Sequence, residues 1–261
     1  MKYTSRLTTI IAGLAFTTAG ISLWWDDLYS DPPLFKAAWF GNDLVTLVAA
    51  PALWITHHYY KDGHQTAHLL WLGILQYILY SYAFYVFGAA YNSLFLLYVT
   101  LFALALYTLV LALMQLAATT PKMILRRPVQ KVIAIFLFLV AVPLAGVELS
   151  QLYVSVVSHR SPAIPPLVVA LDFSLVVPLA ILAGVLLWNG RTWGIILGMM
   201  VLTKSFLYGA VLLLGVIRIV RTGVGDADPL IAFYAFIMVG GLAFTGLLIY
   251  SIDTSHQPAS P

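Results

Sequence analysis

The sequence contains no cysteine among its 261 residues. This absence excludes disulfide bonds, thiolate metal sites and cysteine nucleophiles. Charge is also scarce, because Asp, Glu, Lys and Arg together make up 9% of the chain, whereas a soluble domain has about 25%. So little charge excludes an ordinary soluble domain, and no nucleic acid is expected as a partner.

Signatures of common enzyme classes are missing too. The chain has no P-loop, no dinucleotide fingerprint, no HExxH motif and no nucleophile elbow. Ser174 and Ser205 lie near acidic residues, but no histidine accompanies them, so a serine triad is unsupported. We therefore expect no cofactor and favour a function other than catalysis.

The sequence is instead rich in long apolar runs. Hydrophobic residues make up 62% of the chain, and its mean hydropathy is +0.95. Apolar runs of about 20 residues predict membrane-spanning helices. They cover residues 7–25, 37–57, 67–89, 93–118, 130–155, 165–188, 193–217 and 229–251. The sequence predicts an all-α integral membrane protein with about eight transmembrane helices, in a single polytopic domain over residues 1–261.

The cations outside these runs predict the orientation. If the termini are inside, the inner segments carry Lys2, Arg6, Lys61, Lys122, Arg126, Arg127, Lys131 and Arg191. The outer segments carry Lys36, Arg160, Arg218 and Arg221. The positive-inside rule therefore predicts cytoplasmic termini. The first run could also be a signal peptide, but its length and the absence of a small-x-small site favour a retained span.

The two halves of the chain, 1–125 and 126–261, show similar short patterns in the same order. GNDLVTLVAAPALW (41–54) resembles ALDFSLVVPLAILAGVLLW (170–188), because each has an acid, then a proline, then a tryptophan. AGISL (19–23) likewise resembles AGVEL (145–149). Each half holds an even number of spans, so a duplication would give two parallel four-helix repeats. The alternative is that apolar helices simply share a membrane composition.

Four charged residues lie inside the predicted spans: Asp43, Glu148, Asp172 and Lys204. A charge at the bilayer centre costs about 2.5–3.5 kcal/mol or more, so such residues usually have a function. At 1.5 Å per helical residue, the three acids lie at a similar depth of roughly 9–11 Å from the outer side, and the lysine lies near the midplane. We therefore predict that they converge in one outward-facing polar pocket.

Further polar residues lie in the same outer half and are predicted to line this pocket: Asn42, Tyr80, Tyr85 and Asn92. Pro51, Pro143 and Pro178 each share a span with an acid and free a backbone carbonyl beside it. The alternative is that Lys204 pairs with Asp172 or Glu148 only to hold helices together. A retinal Schiff base at Lys204 is a further alternative that no specific motif favours.

Four of the six histidines fall in HHYYKDGHQTAH, residues 57–68. His57, His64 and His68 are weak candidates for a metal site, because His64 and His68 are spaced to share a helix face. Their spacing matches no specific signature, and no metal is predicted. An interfacial loop with aromatic neighbours is the simpler interpretation.

FGND (40–43), YAFYVFGAAYNSLFLLYV (82–99), LDFSLVVP (171–178) and RTWG (191–194) together resemble a family of bacterial multi-pass membrane proteins without an established activity. The resemblance implies a bacterial inner-membrane location and assigns no catalytic residue. The chain departs from the pattern at Asn189-Gly190, where a more basic run would be expected.

We expect transport or permeation of a cation, a proton or a small solute through the acidic pocket. One alternative is a ligand-binding or sensory membrane protein that transports nothing. Another is a membrane enzyme acting on a lipid or quinone, with Asp172 or Glu148 as acid or base. The expected partners are the lipid bilayer, a small solute or ion, and a second copy of the chain in a homo-oligomer.

Overall fold

The computed structural model describes residues 2–25, 27–119, 123–159 and 165–252, and these residues are all-helical. The helices are α1 (Lys2–Trp24), α2 (Pro33–Lys61), α3 (Gln65–Phe87), α4 (Phe95–Thr119), α5 (Arg127–Ser158), α6 (Pro166–Leu171), α7 (Val177–Trp188), α8 (Thr192–Thr222) and α9 (Ile231–Ser251). A π-helical turn, Asp172–Val176, connects α6 to α7, so that the three segments form one helical span.

Because α6, the π-helical turn and α7 form one continuous span, eight helices in the described residues are long and apolar enough to cross a membrane. This confirms the prediction of an all-α, multi-pass membrane protein with eight spans. The second, fifth and seventh spans extend beyond the predicted apolar runs, by up to five residues at one end. The extensions contain polar and aromatic residues that continue the helix, such as His58 and Lys61 in α2.

Local sequence explains where several helices begin and end. Proline occupies the first or second position of α2, α5 and α6, where its fixed φ favours a helix and its missing N–H costs nothing. Gly223 ends α8 with φ +67°, and Gly190 turns the chain between α7 and α8 with φ +69°. A left-handed backbone of this kind favours glycine.

Helix α3 lies at the centre of the bundle, packed against α2, α4 and α8. In its most apolar stretch 89% of the residues are buried, compared with 22% in α9. The peripheral helices expose large apolar side chains such as Leu139 and Leu242. A helix that is apolar all round suits the lipid-facing side of such a bundle.

The helices of each half pack in the same order. In the first half α1 contacts α2, α2 contacts α3, α3 contacts α4, and α4 returns to α1. In the second half the same ring forms from α5, α7, α8 and α9. The halves meet mainly where α8 packs on α2 and α3. The duplication of halves 1–125 and 126–261 stays a prediction, although this packing order agrees with it.

Two glycines allow the two halves to approach closely. A Cβ at Gly41 would overlap the Val211 carbonyl oxygen and lie 2.9 Å from the Gly215 nitrogen. A Cβ at Gly73 would overlap the side chain of Thr203. Small residues at such crossings are the usual means of close helix packing in membranes. They hold α8 against both α2 and α3.

The connecting segments lie on two faces of the bundle. Face A carries segments 27–32, 88–94 and 223–230. Face B carries segments 62–64, 123–126 and 189–191. On face A, the Ala90 amide donates a 3.0 Å hydrogen bond to Asp31 Oδ1 and ties two of the loops together. Face A corresponds to the side that the sequence predicts to be outside.

Candidate functional site

The four charged residues inside the spans lie in two groups. Glu148, Asp172 and Lys204 come together with two tyrosines, Tyr80 and Tyr208, and we call this group the Asp172 cluster. Asp43 lies instead in contact with Tyr29 and Tyr85, and we call this group the Asp43 cluster. The three acids and the lysine, which the sequence predicts to converge, therefore form two groups rather than one.

The Asp172 cluster is built around two buried carboxyl groups. Asp172 is 6% exposed, and its Oδ1 accepts a hydrogen bond from the hydroxyl of Tyr80 on α3. Glu148 on α5 is 2% exposed, and its carboxyl group lies within hydrogen-bonding reach of Asp172. Glu148 Oε2 has no hydrogen-bond donor among the described residues. The two acids therefore face each other in a site closed to solvent.

Lys204 is held mainly by aromatic rings. Its Nζ lies 3.7 Å from the ring centroid of Tyr80 and 4.8 Å from that of Tyr208. The ammonium also interacts electrostatically with Asp172 and Glu148. Within the described part of the chain, however, no carboxylate lies within the 4.0 Å of a salt bridge to Lys204. A cation over a ring face is worth about 2 kcal/mol when desolvated, so the tyrosines replace a direct ion pair.

The π-helical turn places Asp172 at a break in regular α-helix. The amide of Val177 donates to the Asp172 carbonyl, five residues earlier, in place of the usual four. Pro178 follows immediately and has no N–H for the carbonyl of Ser174. The widened turn accommodates this proline inside the span. Single π-helical turns within α-helices occur often at functional sites.

The Asp43 cluster pairs one buried carboxylate with two tyrosine hydroxyls. Tyr85 on α3 donates a 2.7 Å hydrogen bond to Oδ1, and Tyr29 of the α1–α2 loop donates a 2.8 Å bond to Oδ2. Burial raises the pKa of the Tyr29 hydroxyl, so this group remains a donor at neutral pH. Tyr85 in turn stacks on Tyr98, with ring centroids 4.8 Å apart. Asp43 is thus anchored by α3 and by a face A loop together.

A cavity of about 370 Å³ opens beside Asp43, between α1, α2 and the end of α8 on face A. Asp43 lines it together with Tyr29 and Trp25. Two cations also line it, Lys36 of α2 and Arg218 of α8. The sequence predicts one outward-facing pocket for four charged residues, and Asp43 is the one of the four that lines this cavity.

Asn42 and Asn92 lie outside this cavity. Asn42 is buried against α3, where the Tyr77 hydroxyl lies 3.4 Å from Asn42 Oδ1 and 3.0 Å from Thr46 Oγ1. Asn92 Oδ1 accepts a 2.9 Å hydrogen bond from the Leu94 amide at the start of α4. These roles are structural, since Asn42 helps to fix α2 to α3 and Asn92 closes an Asx turn just before α4.

The histidines lie at the face B end of α2 and α3. The His68 ring stacks on Tyr60 at 3.8 Å, and the His57 ring lies 5.0 Å from that of Trp71. His64 is exposed. No three metal-ligating side chains come together in the part of the chain that the structure describes. This region is an aromatic cluster, and neither His57 ring nitrogen has a hydrogen-bond partner among the described residues.

Sequence reasoning missed two tyrosines that complete the clusters. Tyr208 follows Lys204 by four residues on α8, a spacing that places both on one helix face, and this signal was available. Tyr29 belongs to a loop and reaches Asp43 only because that loop folds back over α2. No local pattern marks such a contact.

Comparison with known proteins adds no assignment to this geometry. The chain matches no protein-family model, no curated protein and no solved structure.

Proposed function

We propose that this protein is a membrane transporter that binds and releases a proton at the Glu148–Asp172 pair. The supporting observation is that two buried carboxyl groups face each other with no salt bridge to the nearby lysine. Two ionised carboxylates this close repel each other in a low dielectric. A proton held between them removes the repulsion and supplies the donor that Glu148 lacks.

Lys204 sets the charge balance of the proposed site. With one proton shared by the two acids, the pair carries one negative charge, and Lys204 supplies one positive charge. The site is then neutral, as burial among helices favours. Loss of the shared proton leaves a net negative charge in the same dry site. Proton release therefore has to be coupled to a change of conformation.

The backbone around Asp172 supports such a change. The π-helical turn and Pro178 interrupt the regular hydrogen-bond ladder of the sixth span. Interrupted helices at the repeat interface are common at transport sites. The Tyr80 hydroxyl links the turn to the central helix α3. A rearrangement of the turn would therefore move Asp172 relative to Glu148 and Lys204.

A flux measurement tests this proposal. The full chain is reconstituted into liposomes that contain a pH-sensitive dye, and a membrane potential is imposed with potassium and valinomycin. We expect proton flux above that of empty liposomes, and loss of this flux in Glu148→Gln and Asp172→Asn. Asp27→Asn, an exposed acid on face A, is the matched control and should keep the flux. Wild-type flux equal to that of empty liposomes would refute the proposal.

Infrared spectroscopy tests the shared proton without any transport assay. A protonated buried carboxyl gives a C=O band that shifts on exchange into D₂O. We expect this band in the wild type at neutral pH and its loss in Glu148→Gln. An unchanged band in Glu148→Gln and in Asp172→Asn would show that the pair does not hold the proton.

We place the protein in a bacterial inner membrane with face B in the cytoplasm. The support is the excess of cations on face B, where Arg127 and Lys131 lie beside the α7–α8 turn that contains Arg191. Assembly into a homo-oligomer stays a prediction. A ligand-binding protein without transport is the second candidate function, and the cavity beside Asp43 is the observation that favours it.

A further inference from the structure

The cavity on face A combines charges of both signs in an unusual arrangement. Asp43 is 5% exposed. Lys36 is half-buried and Arg218 is exposed, and both line the same cavity. Neither cation has a carboxylate within salt-bridge distance among the described residues. The cavity therefore presents one buried carboxyl group and two positive groups that no described carboxylate neutralises.

This arrangement discriminates between classes of ligand. A simple anion would be attracted by Lys36 and Arg218 but repelled by Asp43. A simple cation would be attracted by Asp43 but repelled by the two basic side chains. A ligand with an ammonium at one end and an anionic group at the other satisfies all three residues. Mixed charges that reject the wrong partner are a general source of specificity.

The positions of the charged side chains determine the orientation in which such a ligand would bind. Asp43 is held by the hydroxyls of Tyr29 and Tyr85, at 2.8 and 2.7 Å, so its carboxylate is fixed in place. The Arg218 guanidinium lies over the Phe40 ring, with Cζ 4.8 Å from the ring centroid. A guanidinium that contacts a ring still has N–H groups with which it can bind an anionic group. The ammonium of the ligand would therefore bind at Asp43 and its anion at the two cations.

We propose that this cavity binds a zwitterion that carries a primary ammonium and a phosphate, such as a phosphoethanolamine group. The group belongs either to a membrane lipid or to a free solute. Trp25, whose ring lines the cavity and is 48% exposed, is a residue type enriched at the headgroup level of membranes. The proposal goes beyond proton transport, because binding here requires neither flux nor the Asp172 cluster.

A binding assay on the full chain tests the proposal and separates the two sources. The delipidated protein in detergent is titrated with phosphatidylethanolamine, phosphatidylcholine and phosphatidylglycerol of identical acyl chains, and binding is followed by native mass spectrometry. A parallel titration uses O-phosphoethanolamine. We expect phosphatidylethanolamine to bind at least about tenfold more tightly than the other two lipids, a difference of one decade in Kd.

Matched variants test whether the preference for phosphatidylethanolamine depends on residues of the cavity. Asp43→Asn should remove the preference over phosphatidylglycerol, because the ammonium loses its partner. Lys36→Gln and Arg218→Gln should each weaken phosphatidylethanolamine binding. Arg221→Gln is the control, since Arg221 lies on the same helix but does not line the cavity. The surface variants keep the test valid even if Asp43→Asn does not fold.

Each possible result of these titrations either supports the zwitterion proposal or overturns it. Binding of O-phosphoethanolamine with the same dependence on Asp43 and the two cations, and without any lipid preference, would support the proposal and assign the site to a free solute. Equal binding of phosphatidylglycerol and phosphatidylethanolamine, unchanged in Asp43→Asn and without any Asp43-dependent binding of O-phosphoethanolamine, would overturn it in favour of a simple anion site. If the wild type, Lys36→Gln and Arg218→Gln bound phosphatidylethanolamine and O-phosphoethanolamine equally well, the proposal would also be overturned. None of these outcomes depends on proton flux, so the two proposals can fail separately.

Discussion

The hydroxyl of Tyr80, on the central helix α3, donates a hydrogen bond to Asp172 at the start of the π-helical turn. This bond attaches the least regular segment of the sixth span to the most buried helix of the bundle. A side chain so placed can fix the position of the carboxyl without reacting itself. We therefore expect Tyr80 to act as a positioning residue for Asp172.

Tyr80→Phe should destabilise the protein by about 1–3 kcal/mol, because it leaves a buried acceptor without its donor. The ring that lies under Lys204 is kept, so the loss reports on the hydroxyl. Thermal unfolding in detergent measures the effect. Tyr107→Phe is the control, since Tyr107 is 65% exposed and should change little. Equal stability of Tyr80→Phe and wild type would show that the hydrogen bond contributes nothing to folding.

Lys204→Met should destabilise the protein by about 3–5 kcal/mol, because it leaves the two acids without a counter-charge. Adding Asp172→Asn should recover part of this loss, since Glu148 is then the single acid of the cluster and is uncharged when it holds the proton. The coupling between the two residues is expected at about 0.5–3 kcal/mol in a double-mutant cycle. Denaturant unfolding of the four proteins in the cycle supplies the numbers. Additive effects would mean that Lys204 interacts with the rings alone.

Gly41→Ala should destabilise the protein by about 1–3 kcal/mol, because its Cβ meets the backbone of α8 and cannot be relieved by a rotamer change. Gly13→Ala is the matched control. A Cβ at Gly13 has nothing within 4 Å, and alanine favours a helix over glycine by about 1 kcal/mol. The control should therefore be neutral or stabilising. The same result for both variants would contradict the close contact between α2 and α8.

Ala37→Cys should react with a membrane-impermeant thiol reagent added to intact cells, because Ala37 lines the cavity on face A. The chain has no native cysteine to interfere. Ala180→Cys, buried in α7 with 0% exposure, should react only after denaturation. If Ala37→Cys reacted only after cells were permeabilised, face A would lie in the cytoplasm. If it failed to react even then, the cavity would not be open to water.

Hydropathy and length were enough to predict the eight spans, because a helix in lipid must be apolar over the full thickness of the membrane. Depth along each helix was also readable from the sequence. The direction in which a side chain points around the helix axis was not, and for this reason Asp43 was predicted to lie with Asp172. Tyr80 and Tyr85 show the same limit. They are five residues apart on α3, and each meets a different acid.

The π-helical turn also escaped prediction, since Pro178 indicates an irregular helix but not its form. The π-helical turn changes the angle around the helix axis at which the preceding side chains point. The extra residue in the turn shifts everything before it by about 100° around the helix axis relative to a regular α-helix of 3.6 residues per turn. Removal of one residue between Asp172 and Pro178 would restore regular winding and swing the Asp172 carboxyl away from Tyr80. One residue of chain length thus decides which neighbours this acid meets.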